Sequence, residues 1–308
     1  MQLATMSLEG RPACVLMLKD GGVLNIATAA ADLGGAVGTA LRAGSMQQLI
    51  EGGADAIDAL RGLIEAADAG QLPDARVSAD GPLLAPIPEP RKNVFCVGRN
   101  YAEHIAEGER AQNQKIGVTE HPVFFTKPPS AVVPPGGDGL IFPEVSEAVD
   151  YEVELAIVIG RAGRNIAKAD AYGHIFGYTI LNDITARDVQ RRHGGQYFKG
   201  KALDGSCPIG PWIITADAIG DPHGLSIGLT VNGEQRQNGT TADMIFDIPT
   251  LIASLSAGLT LEPGDIIATG TPSGVGYAMD PPQFLKDGDV VSCTISEIGT
   301  LTNTMRAV

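Results

Sequence analysis

The chain has 308 residues, 44% hydrophobic and 19% charged, with 36 acidic against 22 basic side chains and a formal charge of −14. This is ordinary globular composition, long enough to bury a substantial core without disulfides or structural metals. The acidic balance argues against a nucleic-acid partner, which needs a basic surface. No apolar run reaches the length of a membrane span, so no membrane partner is expected.

In chain order, residues 13–18 read as a strand ending at the turn signal Asp20-Gly21-Gly22. Residues 45–69 read as helical, with Leu49, Ile57, Leu60 and Ile64 near helical spacing and Ser45 as N-cap. Gly52-Gly53 is expected to break that run in two. Gly34-Gly35-Ala36-Val37-Gly38 misses the dinucleotide pattern. Pro82, Pro86, Pro88 and Pro90 then mark an extended connector. Residues 1–90 are therefore read as a small N-terminal α+β domain with its linker, and residues 91–308 as a larger domain.

Beyond residue 93, short β-type runs dominate, at 94–97, 149–159, 177–181, 212–215, 226–231, 266–268 and 290–295. Asn232-Gly233 is a hairpin signal. Helices are expected only near 102–107, 168–174, 186–192 and 248–257. The fold class is thus α+β and β-rich, with a barrel, roll or sandwich rather than an alternating array. Cys14, Cys96, Cys207 and Cys293 are scattered with no CxxC, which predicts buried free thiols and a reducing, cytoplasmic setting. The absence of a signal-peptide pattern points the same way.

The chemistry concentrates in a few segments. In Asp150-Tyr151-Glu152-Val153-Glu154-Leu155, strand alternation puts Glu152 and Glu154 on one face. Paired acids at the start of an apolar strand need a cation or solvent. Asp183 ends another apolar run, so the three acids make a candidate oxygen site for Mg²⁺ or Mn²⁺. On these residues alone, a solvated acidic face with Asp183 as a helix cap, or a two-carboxylate glycosidase, stays open. His104 and Glu107 lie three apart on a helical turn, where the carboxylate can fix the imidazole tautomer and leave a base; a surface ion pair is the alternative. Arg187 and Gln190 follow Asp183 at the same spacing, and Lys127 and Lys201 are further candidate cations. Gly270-Thr271-Pro272-Ser273-Gly274-Val275-Gly276 is a loop able to offer N–H groups and a hydroxyl.

Taken in order, these segments resemble the fumarylacetoacetate hydrolase family. The set runs from Gly98-Arg99-Asn100-Tyr101 with His104 and Glu107, through Phe125-Thr126-Lys127-Pro128-Pro129 and Asp150-Tyr151-Glu152-Val153-Glu154-Leu155. It continues with Asn182-Asp183-Ile184-Thr185-Ala186-Arg187-Asp188, Lys199-Gly200-Lys201, Pro208-Ile209-Gly210-Pro211-Trp212, Pro263-Gly264-Asp265 and the 270–276 loop. The resemblance implies a mixed β-roll in a homodimer, and Mg²⁺ or Mn²⁺ held by Glu152, Glu154 and Asp183. It implies that His104 with Glu107 activates water and that Lys201 offsets enolate charge. Arg187 and Gln190 would contact a keto-acid's oxygens and Thr271 the far end of the substrate, with Tyr101 and Lys127 beside them. One position departs: where the family's animal hydrolase has a further metal-ligating aspartate, seven residues before the histidine, this chain has Val97. The expected substrate is a small 2-keto or 2,4-diketo acid. Hydrolysis of its carbon–carbon bond comes first, then oxaloacetate-like decarboxylation or hydroxy-diene-dioate isomerisation on the same site. The remote alternative is a non-catalytic metal-binding β-roll.

Overall fold

The computed structural model describes residues 1–41, 44–115 and 117–308. It is organised by one strand. Val153–Ile159 is buried along its whole length, with Val153, Leu155, Ile157 and Ile159 in one core cluster and Ala156 and Val158 in another. Burial on both faces is why this segment reads as a continuous apolar run after its acids. It pairs antiparallel with Ile175–Asn182 on one side and Ile266–Ala268 on the other.

From there the sheet extends to twelve strands. One arm runs through Ile266–Ala268 and Val94–Gly98 to Val123–Lys127. The other runs through Ile175–Asn182 and Cys207–Thr215 to Gln2–Leu8, Arg11–Met17, Val23–Asn25 and Arg76–Val77. A five-stranded sheet of Glu234–Thr240, Ser226–Val231, Val290–Ile295, Gly299–Ala307 and Asp138–Ile141 covers the Leu155 and Ile157 face. The chain is therefore the β-rich α+β roll that its sequence leads one to expect.

The N-terminal ninety residues continue this structure across the expected boundary. Leu3 pairs with Ile213, and Leu16, Leu24, Leu49, Leu60 and Leu63 share a core cluster with Val94, Ala156 and Ala268. The two expected helices form as Met46–Glu51 and Gly53–Asp68, with Ser45 accepting from the Gln48 N–H as N-cap. Gly53 has φ +57, a left-handed geometry that suits glycine and turns the second helix away from the first. The proline-rich connector is not the extended run expected: it bends at 86–89 and is packed. Ala85 and Ile87 are buried, and Thr5 Oγ1 donates to the Pro86 carbonyl at 2.7 Å.

All four cysteines are buried free thiols, as expected. Burial pushes Cys14 and Cys207 up to about 12, so they are inert at neutral pH. No helix among the described residues is long and apolar enough to cross a membrane.

Candidate active site

The acids converge where the first residues of the central strand meet the end of its neighbour. Val153–Ile159 pairs with Ile175–Asn182 so that Val153 faces Asn182. Asn182 then accepts the Glu152 N–H at 3.0 Å through its side chain, and Asp183 N–H donates to the Glu152 carbonyl at 2.9 Å. This stapling brings carboxylate oxygens of Glu152, Glu154 and Asp183 to within 4.8 Å of one another, all buried.

Cations surround them. Lys201 Nζ lies 2.6 Å from Glu152 Oε2 and 2.6 Å from Asp183 Oδ2. Arg187 donates from Nη2 to Glu152 Oε1 at 2.6 Å and from Nε to Asp150 Oδ2 at 2.8 Å, with its guanidinium 4.4 Å from the Tyr277 ring centroid. Lys127 has no exposed surface and stands 2.7 Å from Asp183 Oδ1. Its hydrogen bonds go instead to the carbonyls of Ile184 and Lys201, so Asp183 Oδ1 accepts none. Burial alone would lift Glu152, but Arg187, Lys201 and His104 outweigh it and hold the carboxyl well below the usual range. Glu154 is the opposite case. Burial, then the charges of Asp183 and Glu152, drive it well above the usual range, and its Oε2 is left with the Gly270 N–H at 2.8 Å.

A cleft of about 400 Å³ opens over this cluster, lined by Glu152, Glu154, Arg187, Gln190, Lys201 and Thr271 among others. His104 is on its wall. Its Nδ1 meets Glu107 Oε1 at 2.8 Å, and Glu107 Oε2 accepts the Gly274 N–H at 2.8 Å. Glu107 is buried, so the pair is held inside rather than solvated on a helix face. A neutral imidazole that donates from Nδ1 to this carboxylate keeps Nε2 as its basic nitrogen.

A scan of protein families matches residues 93–306 to the family described as fumarylacetoacetate (FAA) hydrolase, C-terminal. The chain belongs to the fumarylacetoacetate hydrolase family. It is 52% identical over 221 residues to oxaloacetate tautomerase YisK of Bacillus subtilis, covering 72% of each chain. It is similar along its whole length to a fumarylacetoacetate hydrolase from Exiguobacterium antarcticum, at 39% identity and a TM-score of 0.80, with all of both chains covered. It also matches maleylpyruvate hydrolase from Sphingobium sp. SYK-6, solved with manganese(II) and pyruvate, at 32% identity and a TM-score of 0.74, covering 100% of this chain and 99% of that one.

The donor set fits a hard divalent cation, Mg²⁺ or Mn²⁺. Three buried carboxylates supply oxygen ligands of the right kind. Asp183 already has the ammoniums of Lys127 and Lys201 beside it, but Glu154 is buried with no ion-pair partner among the described residues. Such a group is costly to bury unless a cation compensates it. Val97, at the departing position, is apolar, buried and on the cleft wall.

Not every expected residue reaches the cleft. Tyr101 is buried in the core cluster behind it, with its hydroxyl unpartnered, and Lys127 lies beneath Asp183. Arg187 and Lys201 do line the cleft, but their charges are spent on the acids. Two residues escaped the sequence reading. Asp150, fully buried, accepts from the Gly276 N–H at 2.7 Å as well as from Arg187. Gln237, also fully buried, accepts the Val153 N–H at 2.9 Å and donates to Thr271 Oγ1 at 2.7 Å and the Pro272 carbonyl at 2.8 Å. It ties the loop carrying Thr271 to the acid strand. Gln237→Leu strands these partners and should cost about 1–3 kcal/mol. The expected readout is a lower melting temperature together with a raised KM; a change in neither would remove Gln237 from the site's framework.

Proposed function

We propose that this chain is a metal-dependent enolising enzyme that interconverts the keto and enol forms of a small 2-oxo acid of the oxaloacetate class. The observation that carries the reading is a base held by a buried carboxylate, His104 with Glu107, lining the same cleft as Glu152 and Glu154 of a buried acid triad. The 52% identity to an oxaloacetate tautomerase supports the same reading.

Glu152, Glu154 and Asp183 would hold the cation, which, when bound, supplies Lewis-acid polarisation of the 2-oxo group. His104 Nε2 takes a proton from the carbon next to the keto carbon. The freed electron pair forms the carbon–carbon double bond, and the carbonyl pair moves onto oxygen. That oxygen then takes up one proton, so substrate and product have the same atoms. Lys201 gives two of its three N–H donors to Glu152 and Asp183 and keeps the third for the oxygen on which charge develops, while Arg187 orients Glu152 rather than meeting substrate first. Gln190 and Thr271, both on the cleft wall, contact the bound acid. Lys127 supports Asp183 from behind.

The sequence alone ranks hydrolysis of a 2,4-diketo acid first. The relatives favour the alternatives on the same site: an oxaloacetate tautomerase acts on the acid of the expected decarboxylation, by a proton transfer of the kind the expected isomerisation needs. Hydrolysis stays as the second reading on one observation, the whole-length similarity to maleylpyruvate hydrolase. The test is to follow the enol absorbance of oxaloacetate with Mg²⁺ or Mn²⁺, while assaying pyruvate release and acylpyruvate cleavage. Accelerated ketonisation that outruns both is expected; cleavage without ketonisation would overturn the reading.

A further inference from the structure

We infer that Arg99 receives the second carboxylate of a dicarboxylic 2-oxo acid, and so sets a preference for dianions over monoanions. The inference deepens the enolising reading above and rests on it.

Among the described residues, four Lys or Arg side chains line the cleft: Arg99, Arg187, Arg191 and Lys201. Arg187 and Lys201 are already paired with Asp150, Glu152 and Asp183. Their charge is therefore committed to the floor of the site. Arg99 and Arg191 have no carboxylate within ion-pair distance among the described residues. Arg191 is solvent-exposed and lies 5.1 Å from the Tyr277 centroid, a ring that already carries Arg187 at 4.4 Å. Solvent screens such a charge.

Arg99 is placed differently. It is half-buried, directly after the strand Val94–Gly98 and ahead of the helix Ala102–Gln112 that carries His104. Its guanidinium lies 5.8 Å from the Tyr197 centroid; Tyr197 meets Phe125 edge-on at 5.7 Å, and Phe125 is 5.0 Å from Lys201 Nζ. A Cβ on Gly98 would come 3.2 Å from Tyr197 Cε2, so the ring is pressed against the backbone just before Arg99. These contacts join Arg99 to the wall that carries Lys201 and leave its planar donor fork without a carboxylate. A half-buried guanidinium matches a carboxylate in two hydrogen bonds and is screened less than an exposed one. In a chain of charge −14, a dianion is repelled at long range and needs this kind of local cation.

The test is calorimetric, on the full chain loaded with Mg²⁺. Oxaloacetate is compared with 2-oxobutyrate, a monoanion of the same chain length. Arg99 has φ +59, so Arg99→Asn is the first variant, because asparagine tolerates that backbone; Arg99→Lys restores the charge alone. Arg99→Asn should weaken oxaloacetate on the order of ten- to a hundredfold and 2-oxobutyrate by less than about threefold, with partial recovery in Arg99→Lys. Melting curves check that each variant is folded, with Arg99→Gln as the substitute. Equal loss of both ligands would overturn the assignment, as would discrimination lost in Arg191→Leu and kept in Arg99→Asn. A wild-type chain that binds both ligands alike overturns it whatever reaction it catalyses. One that prefers oxaloacetate without interconverting its keto and enol forms leaves Arg99 in place and removes the enolising reading.

Discussion

Asp183→Asn is expected to lower turnover by at least about a thousandfold and to abolish tight Mn²⁺ binding. Asp183 is fully buried and is one of only three acids that converge among the described residues. The amide keeps the shape but loses the charge that attracts a divalent ion. Stability in the presence of chelator is a separate question, decided by two opposing effects. Removing one of three crowded carboxylates relieves repulsion on Glu154. It also strands charge, because Asp183 pairs with the buried ammoniums of Lys127 at 2.7 Å and Lys201 at 2.6 Å. Breaking a buried pair typically costs about 3–5 kcal/mol. Here Lys201 keeps Glu152, and Lys127 keeps two carbonyls, so the cost is partly offset. A net loss of about 1–3 kcal/mol is expected, or several degrees in melting temperature for a chain of this size. Unchanged Mn²⁺ affinity by calorimetry would remove Asp183 from the ligand set.

His104→Ala is the second large effect. Turnover should fall on the order of 10²–10⁴-fold, carried by kcat, while Mn²⁺ affinity stays within about twofold of wild type. The separation follows from geometry. His104 bonds to Glu107, not to the triad, and Glu107 keeps its second anchor on the Gly274 N–H after the imidazole is gone. The 270–276 loop is thus expected to remain in place. If kcat is unaffected, the proton is moved by another group; if Mn²⁺ binding collapses with it, His104 belongs to the metal site.

The parts of the site that were legible in sequence share a local logic. Glu152 and Glu154 are two apart beside an apolar run, and His104 and Glu107 are one helical turn apart, so short-range periodicity brings each pair together. The regular strand begins only at Val153, leaving Glu152 just outside it; the Asn182 side chain holds it in line instead. Asp150 and Gln237 were out of reach because their partners come from 126 and 84 residues away. Nothing near Gln237 in sequence marks it as buried, since Glu234–Thr240 is a polar strand with no hydrophobic alternation. The same lack of long-range information hid the state of the cations. Spacing put Arg187 and Lys201 near the pocket, but only packing revealed that both were already paired with acids. The N-terminal unit followed this pattern too. Its helices and their break at Gly52-Gly53 could be read locally, whereas the pairing of Leu3 with Ile213 that joins it to the roll could not.

Proton transfer at one carbon by one base is most directly tested by solvent exchange. Oxaloacetate is incubated with the Mg²⁺-loaded chain in deuterium oxide, and label at its C3 methylene is followed by proton NMR against a buffer control. A single base on one wall of a cleft should exchange one of the two C3 hydrogens in preference to the other, faster than buffer. That selectivity should vanish with chelator and in His104→Ala. Exchange no faster than buffer, or equal loss of both hydrogens at every stage of the reaction, would contradict it.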